Sequence, residues 1–182
     1  MSLDIDRRRA VFLDRDGILT KSIVRDGRPY APRTLDEFEI IPEALDVLTA
    51  LKAGGFLLIV VTNQPDVATG HLSAEALKEM HSRLVEALPI DEIVVCPCLE
   101  IDPACTCYKP RPGMLIESAS KWQIDLGRSF MVGDRWRDVG AGAAAGCRTI
   151  FLDRGYWADP RPPACDHIVY SLCAVREIIL TL

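Results

Sequence analysis

Ala10-Val11-Phe12-Leu13-Asp14-Arg15-Asp16-Gly17 is a short apolar run that ends in two carboxylates one residue apart and a glycine. A buried strand does not ordinarily stop this way. Two acidic side chains at one strand end repel each other and lose hydration, penalties that a divalent cation offsets. The same Asp-x-Asp-Gly also suits a tight turn after an edge strand, because Asp bonds its own backbone and Gly accepts positive φ. Taken alone, the stretch leaves both readings open.

Working outward, Pro42 and Glu43 open a helical pattern with Ala44, Leu45, Leu48 and Leu51 on one face, closed by Gly54 and Gly55. Phe56 to Val61 is a continuous apolar run ending at Thr62-Asn63-Gln64-Pro65, which reads as a strand buried on both faces. Ser73 caps a helix that reaches Ala87 ahead of Pro89. Further strands are predicted at Ile93–Val95, Phe130–Val132, Thr149–Leu152 and Ile168–Val169. Further helices are predicted from Pro112-Gly113 to Trp122, over Val139–Ala145 up to Gly146, and from Leu172 to Leu182. Strand and helix alternate throughout. That order predicts an α/β fold: a doubly wound, Rossmann-like parallel sheet with helices on both faces and a site at the strand carboxyl ends. With no repeat or linker, residues 1–182 read as a single domain. Asp153 to Cys165, with Pro160, Pro162 and Pro163, reads as an irregular loop whose Tyr156 and Trp157 pack on the body or rim the site.

The 182 residues are 49% hydrophobic, enough for one continuous core. A formal charge of −5, from 21 basic and 26 acidic residues, argues against a general nucleic-acid or anionic-membrane binder, though local basic groups could hold a phosphate. No apolar stretch approaches the ~20 residues that span a bilayer, and Met1-Ser2-Leu3-Asp4 before Arg7-Arg8-Arg9 lacks the apolar region of a secretory signal. A cytoplasmic protein is expected, with Arg7 to Arg9 as a solvated lead-in to the first strand. Oligomeric state is not read from the sequence, and a monomer is the default expectation. His71, His81 and His167 are scattered and receive no ligand role.

Asp14 and Asp16 follow the first strand, Thr62 the second, Lys109 the third, and Asp134 with Asp138 the fourth. A doubly wound sheet brings all these ends to one edge. The set matches phosphoryl transfer: a carboxylate nucleophile, a neighbouring acid/base, a hydroxyl and an ammonium for phosphate oxygens, and carboxylate for Mg²⁺.

Four segments carry a resemblance: Asp14-Arg15-Asp16-Gly17, Val61-Thr62-Asn63-Gln64, Lys109-Pro110 and Gly133-Asp134-Arg135-Trp136-Arg137-Asp138. Through them the chain resembles the haloacid dehalogenase superfamily phosphatases over about residues 10 to 152. Within that superfamily it is similar to the branch of heptose bisphosphate and histidinol-phosphate phosphatases. The resemblance implies that Asp14 attacks phosphorus to form an aspartyl phosphate and that Asp16 protonates the leaving oxygen, then activates water. It further implies that Asp14, the Asp16 backbone carbonyl and Asp134 hold Mg²⁺, with Asp138 orienting Lys109 or a metal-bound water. Thr62 and the backbone at Asn63 would bind the phosphoryl group and Lys109 would neutralise it. The substrate implied is a small phosphorylated metabolite: D-glycero-D-manno-heptose 1,7-bisphosphate first, histidinol phosphate or another sugar phosphate second. A catalytically silent scaffold is the reading from a different class.

Between Gly17 and Pro42 lie only 24 residues, too few for a separate cap domain, so an open pocket is expected. Loops would then supply specificity, Ser22 to Arg28 and Gln64 to Gly70 among them, with Asn63, Gln64, Tyr108, Arg111 and Arg135 as the substrate-binding candidates. Tyr108 stands where the branch typically has an arginine, and Arg111 is the candidate replacement.

Of seven cysteines, Cys96, Cys98, Cys105 and Cys107 crowd twelve residues as two Cys-x-Cys pairs. Four soft ligands on one loop suit tetrahedral Zn²⁺ with no open position; the alternative is a set of reduced or vicinal thiols. The resemblance adds weight to zinc, since the branch carries a zinc loop here, with histidine usually at the Cys98 position. A structural zinc would position Lys109, two residues beyond Cys107. Cys147, Cys165 and Cys173 are read as isolated small hydrophobes.

Overall fold

The computed structural model describes residues 7–182. Met1 to Asp4, read above as lacking a secretory signal, lies outside them. In chain order the elements are β1 (Arg9–Leu13), β2 (Ile23–Arg25), β3 (Arg28–Tyr30), α1 (Ala44–Ala53), β4 (Phe56–Asn63) and α2 (Pro65–Ala68). There follow α3 (Ala74–Ala87), β5 (Glu92–Cys96), α4 (Gly113–Trp122), β6 (Phe130–Gly133), α5 (Trp136–Ala145), β7 (Arg148–Leu152), β8 (His167–Val169) and α6 (Leu172–Thr181).

Six strands form one sheet in the order β5-β4-β1-β6-β7-β8, every neighbouring pair parallel. β1 lies at its centre, with the chain leaving it toward β4 and β5 and returning to its other side at β6. Where crossovers diverge, no connection covers the strand ends, and a crevice opens between β1 and β6. Asp14 and Asp134 are the residues directly beyond those two strands.

The period of two along each strand sends alternate side chains to opposite faces. Val11, Leu13, Leu58, Val60, Val132 and Ile150 pack with Leu48 of α1, Met80 of α3 and Val175 of α6. Ala10, Phe12, Leu57, Ile59 and Met131 pack on the other face with Met114 and Leu115 of α4 and Ala141 of α5. Each large aliphatic side chain so buried contributes about 1.5–3 kcal/mol. The predicted cap of α3 is present: Ser73 Oγ accepts from the Ala76 amide at 3.0 Å, an arrangement worth about 1 kcal/mol.

Several expectations need correction. Leu45 is exposed and Val47 takes its place on the buried side of α1, because the helix begins at Ala44 and its core face centres on Leu48 and Leu51. Cys147 is buried as expected, but Cys173 lies on the solvent side of α6 and Cys165 in a half-covered loop. The Arg run is not wholly solvated: Arg8 lies over Trp122 and Arg9 over Phe56, with guanidinium carbons 5.3 and 4.3 Å from the ring centroids. The sequence reading also lacked the β2–β3 hairpin. Its tip at Gly27 meets the loop after β7, with the Trp157 ring above Gly27 and the Ala158 amide donating to the Gly27 carbonyl at 3.2 Å. Hairpin and loop border the crevice in place of an inserted domain. Among the described residues, no helix is long and apolar enough to cross a membrane.

Candidate active site

Lys109 is buried, and its ammonium has three donors to place. They go to Asp14 Oδ1 at 2.7 Å, Asp138 Oδ1 at 2.6 Å and the Val61 carbonyl at 2.8 Å. Burial alone would lower the Lys109 pKa; Asp138 and Asp14 outweigh it and hold the ammonium above its ordinary range. Asp138 Oδ2 accepts from the Arg135 amide at 3.0 Å, so one side chain both caps α5 and anchors the lysine.

Asp14, Asp134 and Asp138 each place a carboxylate oxygen within 4.8 Å of the others. Against three carboxylates, Lys109 is the one ammonium hydrogen-bonded to the group. Burial pushes Asp14 up to about 7, against the pull of Lys109 and with the push of Asp138 and Asp16. Asp134 is also raised well above the ordinary carboxylate range, by burial first and then by Asp14 and Asp138. Both Asp134 oxygens are shielded from solvent and lack a partner in hydrogen-bond geometry, although Tyr156 lies close enough to ease the charge. Unpaired buried acceptors beside a second carboxylate fit a hard, oxygen-seeking cation such as Mg²⁺.

Backbone geometry makes room for this crowding. Gly17 has φ +92°, and a Cβ there would stand 1.7 Å from Asp134 Oδ2. At Gly133 a Cβ would stand 2.1 Å from the Asp138 Cβ. Any side chain at either position displaces a carboxylate.

Asp16 is held from several directions. Arg15 Nε and Nη2 donate to its two oxygens at 2.9 and 2.8 Å, Thr20 Oγ1 donates at 2.9 Å, and Gln64 Nε2 donates at 2.9 Å. Arg15 is itself fully buried, and its remaining Nη1 meets His81 Nε2 at 3.0 Å. Arginine has no acceptor, so His81 Nε2 must offer a lone pair and the ring is neutral. Burial, then Arg15, lowers the His81 pKa to about 4. Given no ligand role above, His81 instead braces Arg15. Its position four residues after Leu77 and three before Leu84 puts it near the buried side of α3, a signal present in the sequence.

The remaining expected site residues divide. Asn63 brackets the Lys109 peptide, with Oδ1 accepting from its amide at 3.1 Å and Nδ2 donating to its carbonyl at 3.3 Å. Buried Thr62 accepts at Oγ1 from Gln64 Nε2 at 3.0 Å. Asn63 and Gln64 thus brace Lys109 and Asp16 while reaching the same cavity of about 530 Å³. That cavity is lined by Asp14, Asp16, Thr62, Lys109 and Asp138, and by Tyr108 and Arg135 as expected. Arg111 is the exception: its Nη1 donates to the Asp102 and Cys105 carbonyls at 2.7 and 2.6 Å, which turns it into the cysteine loop. Arg28, within the expected Ser22 to Arg28 loop, also lines the cavity, and Arg33 and Arg137, which sequence reading missed, do so from the segment after the hairpin and from α5.

In the cysteine loop, Sγ–Sγ separations are 3.7 Å for Cys96 and Cys105, 3.8 Å for Cys98 and Cys107, and 3.4 Å for Cys105 and Cys107. A tetrahedron with Zn–S arms of ~2.3 Å has edges of about 3.8 Å, which these three separations approach. Cys96 and Cys107 are joined as a disulfide and Cys98 and Cys105 are free, so a four-thiolate site requires the reduced chain.

A family model described as HAD-hydrolase-like matches residues 106–173. The chain is similar to a D-glycero-beta-D-manno-heptose-1,7-bisphosphate 7-phosphatase of Escherichia coli K12, at 37% identity covering 93% of each chain. It is 34% identical to the Pasteurella multocida protein of the same name, over 80% of this chain and 81% of that one. Its fold is similar to a crystal structure of D,D-heptose 1,7-bisphosphate phosphatase from B. bronchiseptica complexed with magnesium and phosphate. That match has a TM-score of 0.80 at 28% identity, over 95% of this chain and 98% of the other.

The His81 environment gives a pH signature. Between about 4 and its ordinary 6.5, the unfolded chain holds a proton on His81 that the folded chain does not. The His81 contribution therefore makes stability rise with pH across this window, with its full penalty present below about 4. Urea unfolding of His81→Gln across this window is expected to show a shallower rise of stability with pH than wild type. Parallel stability curves for the two proteins would show that His81 is not held neutral.

Proposed function

Since the chain belongs to the haloacid dehalogenase-like phosphatases, we propose that it is a Mg²⁺-dependent enzyme that hydrolyses D-glycero-D-manno-heptose 1,7-bisphosphate at its 7-phosphate. The observation that carries this reading is the cavity itself. Lys109 with Asp14, Asp16 and Asp138 forms its reactive end, and Arg28, Arg33, Arg135 and Arg137 line it further out. A sugar with two phosphates brings roughly three to four negative charges near neutral pH, which Lys109 and the two cavity arginines not paired with Asp66 or Asp159, Arg28 and Arg137, can meet.

In the proposed mechanism Lys109 anchors Asp14 Oδ1, and Oδ2, which has no hydrogen-bond partner among the described residues, attacks phosphorus. The phosphorus–oxygen ester bond breaks as the aspartyl phosphate forms, and Asp16 gives its proton to the departing sugar oxygen. To do so Asp16 must turn from the Arg15, Thr20 and Gln64 bracket toward the cavity. It then takes a proton from the water that attacks the aspartyl phosphate, which returns Asp14 and releases phosphate. Thr62 and the backbone at Asn63 hold phosphoryl oxygens while Lys109 offsets their charge. Asp14, Asp134 and the Asp16 carbonyl would hold Mg²⁺, which supplies charge stabilisation for the transferring phosphoryl group.

We assign Zn²⁺ to the four loop cysteines of the reduced chain, with the task of fixing the segment that carries Tyr108 and Lys109. Reduced protein should carry about one zinc per chain, and Cys105→Ser should lose it together with much of the activity. Full zinc content and full activity in that variant would refute the assignment.

Phosphate release with Mg²⁺ from heptose 1,7-bisphosphate, histidinol phosphate and simple sugar phosphates tests the central reading. The bisphosphate is expected to have the highest kcat/KM, and Asp14→Asn to lower it by at least about 10³-fold. Preference for histidinol phosphate would overturn the substrate, and absence of turnover across the panel would point to a silent scaffold.

A further inference from the structure

The cavity arginines differ in how their donors are used. Arg33 makes a two-point ion pair with Asp66 at 2.8 and 3.1 Å, and Arg135 makes one with Asp159 at 3.2 and 2.7 Å. Arg28 is exposed on the hairpin. Arg137 is mostly covered and only loosely paired. Its side chain is 18% exposed, and its Nε and Nη1 are shielded from solvent without a hydrogen-bond partner. The one carboxylate near it, Glu100 Oε2 at 2.9 Å from Nη1, lacks hydrogen-bond alignment and belongs to a side chain that is 56% exposed.

What holds Arg137 is aromatic. The guanidinium carbon lies 5.6 Å from the Tyr108 ring centroid and 5.1 Å from that of Trp136, and all three residues line the catalytic cavity. Rings fix the plane of a guanidinium without consuming its donors. Shielded donors left without acceptors are costly, and such groups persist where an absent partner completes them. The partner that matches a planar fork on the wall of a phosphate-handling cavity is a phosphate oxygen pair.

We propose that Arg137 is the residue by which this enzyme selects a bisphosphorylated sugar: its fork receives the phosphate that is not cleaved, backed by Tyr108 and Trp136, and Glu100 is the resting counterion that this phosphate displaces. The inference rests on the phosphatase reading above and adds to it the residue that reads the second phosphate. Arg111 cannot share the task, because the carbonyls of the cysteine loop occupy it.

The test compares kcat/KM for heptose 1,7-bisphosphate with that for heptose 7-phosphate, the same sugar lacking the second phosphate. Wild type is expected to favour the bisphosphate. Arg137→Met should lower that preference about 10- to 100-fold, chiefly through KM, as one charge-assisted phosphate contact is lost. Arg137→Lys, which keeps the charge but neither fork nor stacking, should recover part of it. An unchanged preference in Arg137→Met, or loss through kcat alone, would overturn the role of Arg137. Equal treatment of both sugars by wild type would overturn the bisphosphate reading beneath it.

Discussion

The Lys109 ammonium between Asp14 and Asp138 is the contact on which the rest of the site depends. Burying an ion costs several kcal/mol, and three neighbouring carboxylates multiply that cost unless cations answer them. Lys109 answers two, through hydrogen bonds of 2.7 and 2.6 Å. Asp134 remains, raised in pKa and unbonded at both oxygens. A fold selected for stability alone would put an apolar or neutral residue there. The surrounding backbone instead keeps the crowding possible, since Gly17 and Gly133 leave out the Cβ atoms that would push Asp134 and Asp138 away.

Two sets of contacts hold this centre in place. Asn63, at the end of β4, grips the Lys109 peptide from both sides, while Arg111 ties down the cysteine loop that leads into it. On the other side Arg15 reaches back from the first strand end to Asp16 and forward to His81 on α3. Groups that neither attack nor receive a proton therefore determine where the reactive groups stand.

Much of this was legible before any coordinates. The alternation of apolar runs and amphipathic stretches yields the parallel sheet, and the strand ends that carry Asp14, Thr62 and Asp134 converge because a doubly wound topology leaves them no other place, while the loop after β5 returns Lys109 to the same edge. The β2–β3 hairpin was not legible, as three-residue strands with exposed positions carry no clear period. Nor was the placement of arginines. Arg111 and Arg137 are both long cations beside motif residues, and only packing decides that one serves loop carbonyls while the other stacks on Tyr108 and Trp136. His81 stood on the buried side of its helix by spacing, yet its partner Arg15 lies 66 residues away and no local rule links them.

Whether the buried carboxylates are built around a divalent cation is tested most directly by thermal unfolding across a Mg²⁺ titration in wild type and Asp134→Asn. A ligand at about 100 times its Kd adds about 2.7 kcal/mol to the folded state, enough to raise Tm by several degrees. Wild type should show that rise, whereas Asp134→Asn should start from a higher metal-free Tm, relieved of a buried acid, and respond little to Mg²⁺. A wild-type Tm indifferent to Mg²⁺, or a variant that responds as fully as wild type, would contradict the account.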